Sequence, residues 1–214
     1  MRARHCTAPC HVPLLFALAA LLLAGSPSVG AAAGAKFNRK VNVGDRAPGW
    51  SSLTGVDGKQ HSLKDYADAK LLVVVFTCNH CPVAKSYEER LKTLTEKQKD
   101  SGVAVVAISP SIFPADSLEK MKERAAEQKY NFDYLSDASQ QVGQAWGARV
   151  TPQVFLLDAE RKVLYMGAID DSMYTDRVKE HYLADAITAA LAGKSPEITE
   201  TRPFGCPIEY EDAE

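Results

Sequence analysis

Residues 71–83 read LLVVVFTCNHCPV, and this stretch decides the fold. The apolar, largely β-branched run 71–76 is typical of a central strand that is buried on both faces. Cys78 and Cys81 follow it, and a helical pattern begins at Pro82, a residue suited to a first helical turn. We expect the Cys78 sulfur to face the helix N-terminus, where unpaired N–H groups and the helix dipole favour a thiolate. The pattern therefore predicts a redox-active dithiol.

The two cysteines predict thiol–disulfide exchange. In this interpretation the Cys78 thiolate attacks a substrate disulfide, and Cys81 resolves the mixed disulfide to leave a Cys78–Cys81 bond. His80 lies between the cysteines, where a positive imidazole would stabilise the thiolate and so tune its pKa. Two plainer interpretations stay open, namely a static local disulfide and a His80 that is only an exposed turn residue.

The first 35 residues have the layout of a secretory signal peptide. A basic start precedes the apolar run 14–24, and small residues that suit cleavage after Ala33 or Ala35 follow it. We therefore expect residues 1–35 to be a signal peptide and the protein to be exported, either to the periplasm or as a secreted protein. We expect no stable membrane insertion after cleavage. An uncleaved N-terminal anchor is the alternative.

Length and charge restrict the class of protein and of partner. The 214-residue chain has a formal net charge of −2, which gives no reason to expect nucleic acid or an anionic membrane surface as a partner. After the leader, residues 36–193 suit a single folded domain. We expect the partners to be a disulfide-bearing protein or small thiol substrate and a separate redox partner.

The order of elements predicts an α/β fold. Strand and helix patterns alternate first, as in a β-α-β crossover, and an antiparallel hairpin and a closing helix come last. Trp146 is expected in the core, and Asp170 and Asp171 are expected in a loop rather than as catalytic acids. After an entry hairpin that turns at Asp57-Gly58, the predicted elements are a strand at 103–108, a helix at 116–128, an extended piece at 132–135, a short helix at 140–146, a hairpin of 150–157 and 163–169, and a helix at 177–192.

Residues 194–214 are predicted to form an irregular acidic tail. Three prolines interrupt regular structure there, and six acidic residues accompany a single arginine. Cys206 is the one chemical feature of the tail, and it is the third cysteine of the chain beyond the leader. It could resolve or relay a disulfide, remain a free thiol or join another chain. The surrounding acids should raise the pKa of its thiol.

A dithiol between a strand and a helix, followed by a βα unit, by Thr151-Pro152 at the start of a hairpin strand and by a closing helix, resembles the thioredoxin-like superfamily over about residues 40–193. The resemblance implies a three-layer α/β/α fold with a mixed central sheet and an N-terminal β-hairpin extension. It also implies that Pro152 is cis and lies against the dithiol, so that Thr151 and Pro152 shape a groove for an extended substrate. No cofactor is implied.

Further segments resemble the redoxin group, that is, the peroxiredoxin-like (AhpC/TSA-related) exported proteins of thioredoxin fold. They are the opening segment 43–48, the dithiol block 77–83, the segment 167–171 and the late Gly205-Cys206. In peroxiredoxins the motif P-x-x-x-T-x-x-C would align its cysteine with Cys81, but Cys78 stands at its Thr position and Val74 at its Pro position. These departures weaken the expectation of peroxidase chemistry.

Two other residues bear on the choice of activity. The position of the peroxiredoxin helper arginine falls on Gln153, with Arg149 displaced from it, and Thr77 stands where thioredoxins carry a tryptophan. The sequence therefore predicts a thiol–disulfide oxidoreductase that acts on protein or small-molecule disulfides, with a thiol peroxidase as the alternative enzyme.

A copper(I)-binding or delivery module is the alternative outside enzymes, since copper(I) accepts two thiolates. A lone C-x-x-C supplies only two of the four ligands of a structural zinc site, and His61, His181 or Cys206 would have to be recruited. Pro82 stands where haem attachment requires histidine. We predict no metal site.

Overall fold

The computed structural model describes residues 35–211 of the chain. The predicted signal peptide therefore lies outside the described residues, apart from Ala35. Within the described range, none of the helices combines the length and the apolar character needed to cross a bilayer.

The described residues form a mixed α/β fold around β3, the predicted central strand. All six residues of β3 are buried, and β3 pairs in parallel with β4 and antiparallel with β7. In residues 35–211 the main sheet has seven strands in the order β2-β1-β5-β4-β3-β7-β8, and a separate pair joins β6 to β9. The strands are β1 Leu53–Gly55, β2 Gln60–His61, β3 Leu71–Phe76, β4 Val103–Ser109, β5 Asp133–Ser136, β6 Val150–Thr151, β7 Gln153–Leu157, β8 Val163–Gly167 and β9 Cys206–Pro207, and the helices are α1 Pro82–Gln98, α2 Leu118–Gln128, α3 Gln141–Trp146 and α4 Tyr182–Leu191.

Alternate residues of β3 enter two different cores, as the period of a strand requires. Leu72, Val74 and Phe76 pack with Trp146 of α3 on one face of the sheet. Their neighbours in β3 pack on the other face with α1 and α4 through side chains such as Tyr87 and Leu183. The thioredoxin-like layered arrangement and its N-terminal β1–β2 hairpin are thereby confirmed.

Two helices begin later than the sequence predicts. The predicted helix at 116–128 begins at Leu118, because Pro114–Asp116 form a separate 3₁₀ turn and Ser117 caps the helix through a hydrogen bond to Lys120 N. The predicted helix at 177–192 begins at Tyr182, since Thr175–Arg177 also form a 3₁₀ turn. The later start of α2 matters for function, because Asp116 then lies in the turn before the helix and not in the helix itself.

The C-terminal segment is attached to the domain rather than loose. We call residues 199–211 the C-terminal strap. At its start, Met166 N donates to Thr199 O and Thr201 N donates to Met166 O, each over 3.1 Å, so the strap runs along the edge of β8. Further along, β9 pairs antiparallel with β6. The segment has little regular structure, as predicted for a tail, but backbone hydrogen bonds hold it to the sheet.

Candidate active site

The dithiol lies in the loop between β3 and α1, as the sequence predicts. Cys78 is 4% exposed and Cys81 is fully buried. In the described part of the chain Cys78, Cys81 and Cys206 are all free thiols. Cys78, His80 and Thr151 line a small cavity of about 10 Å³ at the surface, and Cys81 lies behind them. Cys78 is therefore the sulfur that an incoming substrate meets first.

Both sulfurs lie at the N-terminus of α1: the backbone N–H of Cys81 is directed at Cys78, as predicted, and opposes the rise of its pKa, while the Cys81 sulfur itself caps the helix. Helix α1 begins at Pro82, Cys81 is its N-cap, and Ala84 N donates to Cys81 Sγ over 3.4 Å. The reason is geometric, because a proline in the first helical position makes the residue before it the cap.

The two thiols of the dithiol have opposite pKa shifts. A hydrogen bond from Cys78 lowers the pKa of Cys81, together with smaller contributions from Cys206, Ala84 N and Thr151, while burial opposes the shift. The same contact with Cys81, followed by burial, raises the pKa of Cys78. The contact between the two sulfurs therefore couples their ionisation, and the first proton lost belongs to the pair rather than to either thiol alone.

Asp116 organises the dithiol loop, and the sequence analysis missed it. Its carboxylate is 2% exposed and accepts hydrogen bonds from Asn79 N at 2.6 Å, from His80 N at 3.0 Å and from Ser111 Oγ at 2.5 Å. The available signal was Pro114 at the start of a turn and Ser117, a good cap, which together place Asp116 before the helix.

His80 is fixed rather than merely exposed. Its Nδ1 lies 2.5 Å from Asp116 Oδ2, and its ring stands edge-on to Phe113 at 4.7 Å between centroids. The side chain keeps 33% of its surface open and lines the same small cavity as Cys78. A histidine held in this way can stabilise an anion at the cavity.

Thr151 contacts both sulfurs of the dithiol. Its hydroxyl lies 3.2 Å from Cys78 Sγ, and its carbonyl accepts a hydrogen bond from Cys81 Sγ at 3.1 Å. The Thr151–Pro152 peptide bond is cis, as the resemblance implies. The β6 edge, expected to receive an extended substrate, is occupied by the strap, in which Cys206 stands opposite Thr151.

Cys206 joins the dithiol in space. It packs against the small cluster of Cys78, Cys81 and Ala84. Burial, and then the contact with Cys81, raises the pKa of Cys206 to about 11. The predicted direction is therefore confirmed, but its cause is different, because the neighbouring acids of the tail do not contribute to this shift.

The other residues singled out in the sequence lie away from the sulfurs. Gln153 is buried and accepts a hydrogen bond from Arg149 N through its side chain, while Arg149 lines a separate cavity. Asp170 follows β8 in a loop, as predicted, and is paired with Arg90 at 2.5 Å and with the Tyr87 hydroxyl at 2.7 Å. Trp146 is fully buried in the core, also as predicted.

One cluster of the described residues has the composition of a metal site. Ligand atoms of Cys78, His80 and Asp116 lie within 4.8 Å of one another. However, the Asp116 oxygens already accept four hydrogen bonds from the dithiol loop and Ser111, which a cation would have to replace. Of the histidines considered above, His61 is engaged instead with Asp57 at 3.0 Å. Copper(I) binding stays an untested alternative to the predicted activity.

Comparisons with known proteins point to one family. The Redoxin family model matches residues 42–181. The thiol-disulfide oxidoreductase ResA of Geobacillus thermodenitrificans (strain NG80-2) is 29% identical over 143 residues, which cover 66% of this chain and 76% of that protein. A protein of Mycobacterium tuberculosis (strain CDC 1551 / Oshkosh), whose name assigns it provisionally to the peroxiredoxins, is 30% identical over 120 residues, which cover 54% of this chain and 70% of that protein.

A solved structure extends the likeness over most of the fold. The crystal structure of an uncharacterized conserved protein from Geobacillus kaustophilus superimposes with a TM-score of 0.77 at 32% sequence identity. The match covers 83% of this chain and 96% of that one.

Proposed function

The chain belongs to the Redoxin family, and since one relative carries the name of a thiol-disulfide oxidoreductase, we propose that this protein is a thiol–disulfide oxidoreductase with Cys78 and Cys81 as its redox pair. Its substrate is a protein or small-molecule disulfide, and a separate partner returns the pair to its starting state. The observation that carries the proposal is the arrangement of the sulfurs, with Cys78 at the cavity and Cys81 directly behind it at the cap of α1.

The arrangement supports a two-step exchange. In the form of the singly ionised pair that has its proton on Cys81, the Cys78 thiolate attacks one sulfur of the substrate disulfide, while the other leaves as a thiolate. Cys81 next gives up its proton to the released thiolate and attacks Cys78, so that a Cys78–Cys81 disulfide forms and the second substrate sulfur departs as a thiolate. Two electrons pass from the pair to the substrate, and the reverse sequence oxidises a dithiol substrate.

Trapping the mixed disulfide tests this assignment. Reduced protein carrying Cys206→Ser is incubated with glutathione disulfide and mapped by mass spectrometry after free thiols are blocked. We expect a Cys78–Cys81 bond in this protein and a stable glutathione adduct on Cys78 when Cys81→Ser is added. Glutathione on neither cysteine, together with the absence of a Cys78–Cys81 bond, would overturn the proposal.

A thiol peroxidase is the second candidate, and one observation favours it. Cys81 occupies the position of the peroxiredoxin cysteine, and its pKa is lowered, as a peroxide-attacking thiolate requires. If this activity holds, protein with both Cys78→Ser and Cys206→Ser treated with hydrogen peroxide carries sulfenic acid on Cys81, and Cys81→Ser protein no longer consumes peroxide. Absence of peroxide consumption by the unaltered protein would exclude this candidate, and unchanged consumption in Cys81→Ser protein would exclude Cys81 as the attacking thiol.

We also propose that the protein is exported. The basic start, apolar run and small residues of the first 35 residues support this proposal. N-terminal sequencing of the protein from its native cells should find a chain that begins after Ala33 or Ala35. A chain that retains the leader would favour an uncleaved anchor instead.

A further inference from the structure

The C-terminal strap occupies the edge of β6 in the manner of an added strand. In the antiparallel register Pro207 lies opposite Val150 and Cys206 opposite Thr151. Beyond the pair, Ile208 N donates to Arg149 O over 2.9 Å. Addition of a strand to an exposed edge is a common way to recognise an extended peptide. The chain therefore places a segment of its own where an extended substrate was expected to pair.

Gly205 allows the strap to approach this edge closely. Its φ is +155°, a conformation that side chains rarely adopt, and a Cβ at this position would overlap the carbonyl oxygen of Thr151. Only glycine fits both the conformation and the contact. The residue before Cys206 is thus suited to bring the strap against Thr151, which itself contacts both sulfurs of the dithiol.

Contacts on both sides of Cys206 hold the strap in place. On one side, Phe204 packs against Tyr87 of α1 at 6.2 Å between ring centroids. On the other side, the Gln140 side chain donates to Glu209 O over 2.7 Å and accepts a hydrogen bond from Glu211 N over 2.8 Å. Cys206 is therefore anchored beside the dithiol rather than reaching it from a free tail.

We propose that Cys206 is a third redox-active cysteine, and this inference rests on the proposed function. Cys206 exchanges with the oxidised Cys78–Cys81 pair, so that the disulfide moves to Cys81 and Cys206. Once the pair is oxidised, the Cys206 thiolate attacks Cys81 Sγ. The Cys78–Cys81 bond breaks, a Cys81–Cys206 bond forms, and Cys78 leaves as a thiolate that takes up the proton lost by Cys206. No outside oxidant is consumed in this step, because one disulfide replaces another.

The electrostatics of the site favour this order of events. In the reduced site, Cys206 is a poor nucleophile because burial and the neighbouring Cys81 raise its pKa. When Cys81 is part of a disulfide it carries no negative charge, and the contribution of Cys81 to this shift disappears. Burial, the larger cause, remains, but the loss of the Cys81 contribution makes Cys206 more reactive once the pair is oxidised. The exchange frees Cys78 at the cavity for a second substrate while the first disulfide is stored.

Disulfide mapping tests the proposal in two proteins with opposite expectations. Protein with Cys78→Ser, equilibrated with glutathione disulfide, should form the Cys81–Cys206 bond. Protein with all three cysteines and Gly205→Ala should form Cys78–Cys81 but yield at least tenfold less Cys81–Cys206 than the unaltered chain. Gly193→Ala is the matched control, since Gly193 also has a positive φ, of 70°, but has no neighbouring atom within 4 Å of an added Cβ.

The outcomes separate this proposal from the function on which it rests. The first case is that the Cys78–Cys81 bond forms in protein with all three cysteines, while Cys81 and Cys206 both remain free thiols, open to alkylation, in folded Cys78→Ser protein. The role of Cys206 is then overturned and the dithiol function stands. If Cys78–Cys81 never forms, the proposed function itself fails. If Gly205→Ala does not fold by circular dichroism, the Cys78→Ser protein alone decides the question.

Discussion

At the scale of single residues, the buried carboxylate of Asp116 gives the dithiol loop its shape. Its two oxygens accept hydrogen bonds from consecutive backbone N–H groups and from the His80 ring. The side chain of Asn79 adds a hydrogen bond to Ala115 O, and its oxygen accepts one from the Tyr134 hydroxyl. The residues between the two cysteines are therefore tied to the loop before α2, and this holds the spacing of the sulfurs.

Removing the Asp116 carboxylate should destabilise the fold. Asp116→Ala leaves buried donors without an acceptor, so we expect the free energy of unfolding to fall by about 3 kcal/mol. Urea unfolding of the reduced protein measures it. The control is Asp171→Ala, which removes an exposed carboxylate that also accepts two backbone N–H groups, from Lys179 and Glu180. Equal losses in the two variants would contradict the organising role of Asp116.

Thr151 should make Cys78 more reactive. The pKa of Cys78 is raised chiefly by Cys81 and by burial, and the Thr151 hydroxyl opposes this rise. In protein with Cys81→Ser, adding Thr151→Val should raise the pKa of Cys78 further, so less thiolate is present at a given pH. A lost hydrogen bond of about 1 kcal/mol makes alkylation of Cys78 about fivefold slower below the pKa.

The measurement is the rate of iodoacetamide alkylation of Cys78 against pH. The curve should move to higher pH in the Thr151→Val protein and rejoin the parent curve once the thiol is fully ionised. Thr54→Val is the control, because the Thr54 hydroxyl instead accepts a hydrogen bond from Gln60 in the β1–β2 hairpin. Superimposable curves for the Thr151 variant and its parent would show that the contact has no influence.

At the scale of elements, the start of α1 combines a structural and a chemical task in one side chain. Cys81 caps the helix and is also one of the two sulfurs of the dithiol. Once Cys81 enters a disulfide, its sulfur can no longer accept the Ala84 N–H as a thiolate does. Oxidation of the pair should therefore weaken the capping hydrogen bond at the first turn of α1, where the positive end of the helix dipole lies.

Serine and alanine at position 81 should differ in stability. Cys81→Ser keeps an acceptor for Ala84 N, whereas Cys81→Ala removes it, so we expect the alanine protein to be about 1 kcal/mol less stable. Urea unfolding under reducing conditions compares the two. The same pair of substitutions at Cys206, which caps no helix, should give a smaller difference. An equal difference at both positions would argue against the capping contact.

Elements whose pattern is local could be predicted from the sequence. All six apolar side chains of β3 can be buried only if the strand lies in the middle of a sheet that is covered on both faces. Asp57-Gly58 specifies the turn of the β1–β2 hairpin without contacts to distant residues. The role of Asp116 could not be predicted in this way, because its partners Asn79 and His80 lie more than thirty residues away in the chain.

At the scale of the whole molecule, the strap makes the C-terminal segment part of the domain. Thr201 accepts hydrogen bonds through its hydroxyl from Ala168 N at 2.9 Å and contacts the Tyr165 hydroxyl at 2.6 Å. The Glu200 carboxylate accepts hydrogen bonds from the backbone of Lys36 and Phe37. The first described residues therefore contact the start of the strap beside β8. The sequence singled out Gly205 and Cys206, but the attachment of the strap to the domain could not be predicted. Strands of two residues each, such as β6 and β9, are too short to leave a periodic pattern in the sequence.

The contact between Thr201 of the strap and Gly167 of β8 can be tested by substitution. Gly167 has a φ of +140°, and a Cβ there would overlap both the backbone and the hydroxyl of Thr201. We expect Gly167→Ala to lose more stability than Gly44→Ala, whose φ is +90° but whose added Cβ meets no atom within 4 Å. The strained φ costs about 1–3 kcal/mol in both, and the overlap adds to it in the first. Thermal unfolding compares the two proteins. Equal unfolding midpoints would show that the strap can move away from the added Cβ without a loss of stability.

Because the strap is joined to the domain, it acts toward any extended ligand as a tethered competitor. Short tethers give effective concentrations on the order of millimolar. A free peptide with the same intrinsic affinity for the β6 edge would therefore reach half occupancy only near that concentration. If the chain acts as proposed, a protein client present at lower concentration must first form a mixed disulfide with Cys78 and displace the strap afterwards. Selection of clients at this site then depends on sulfur chemistry before it depends on the shape of the peptide.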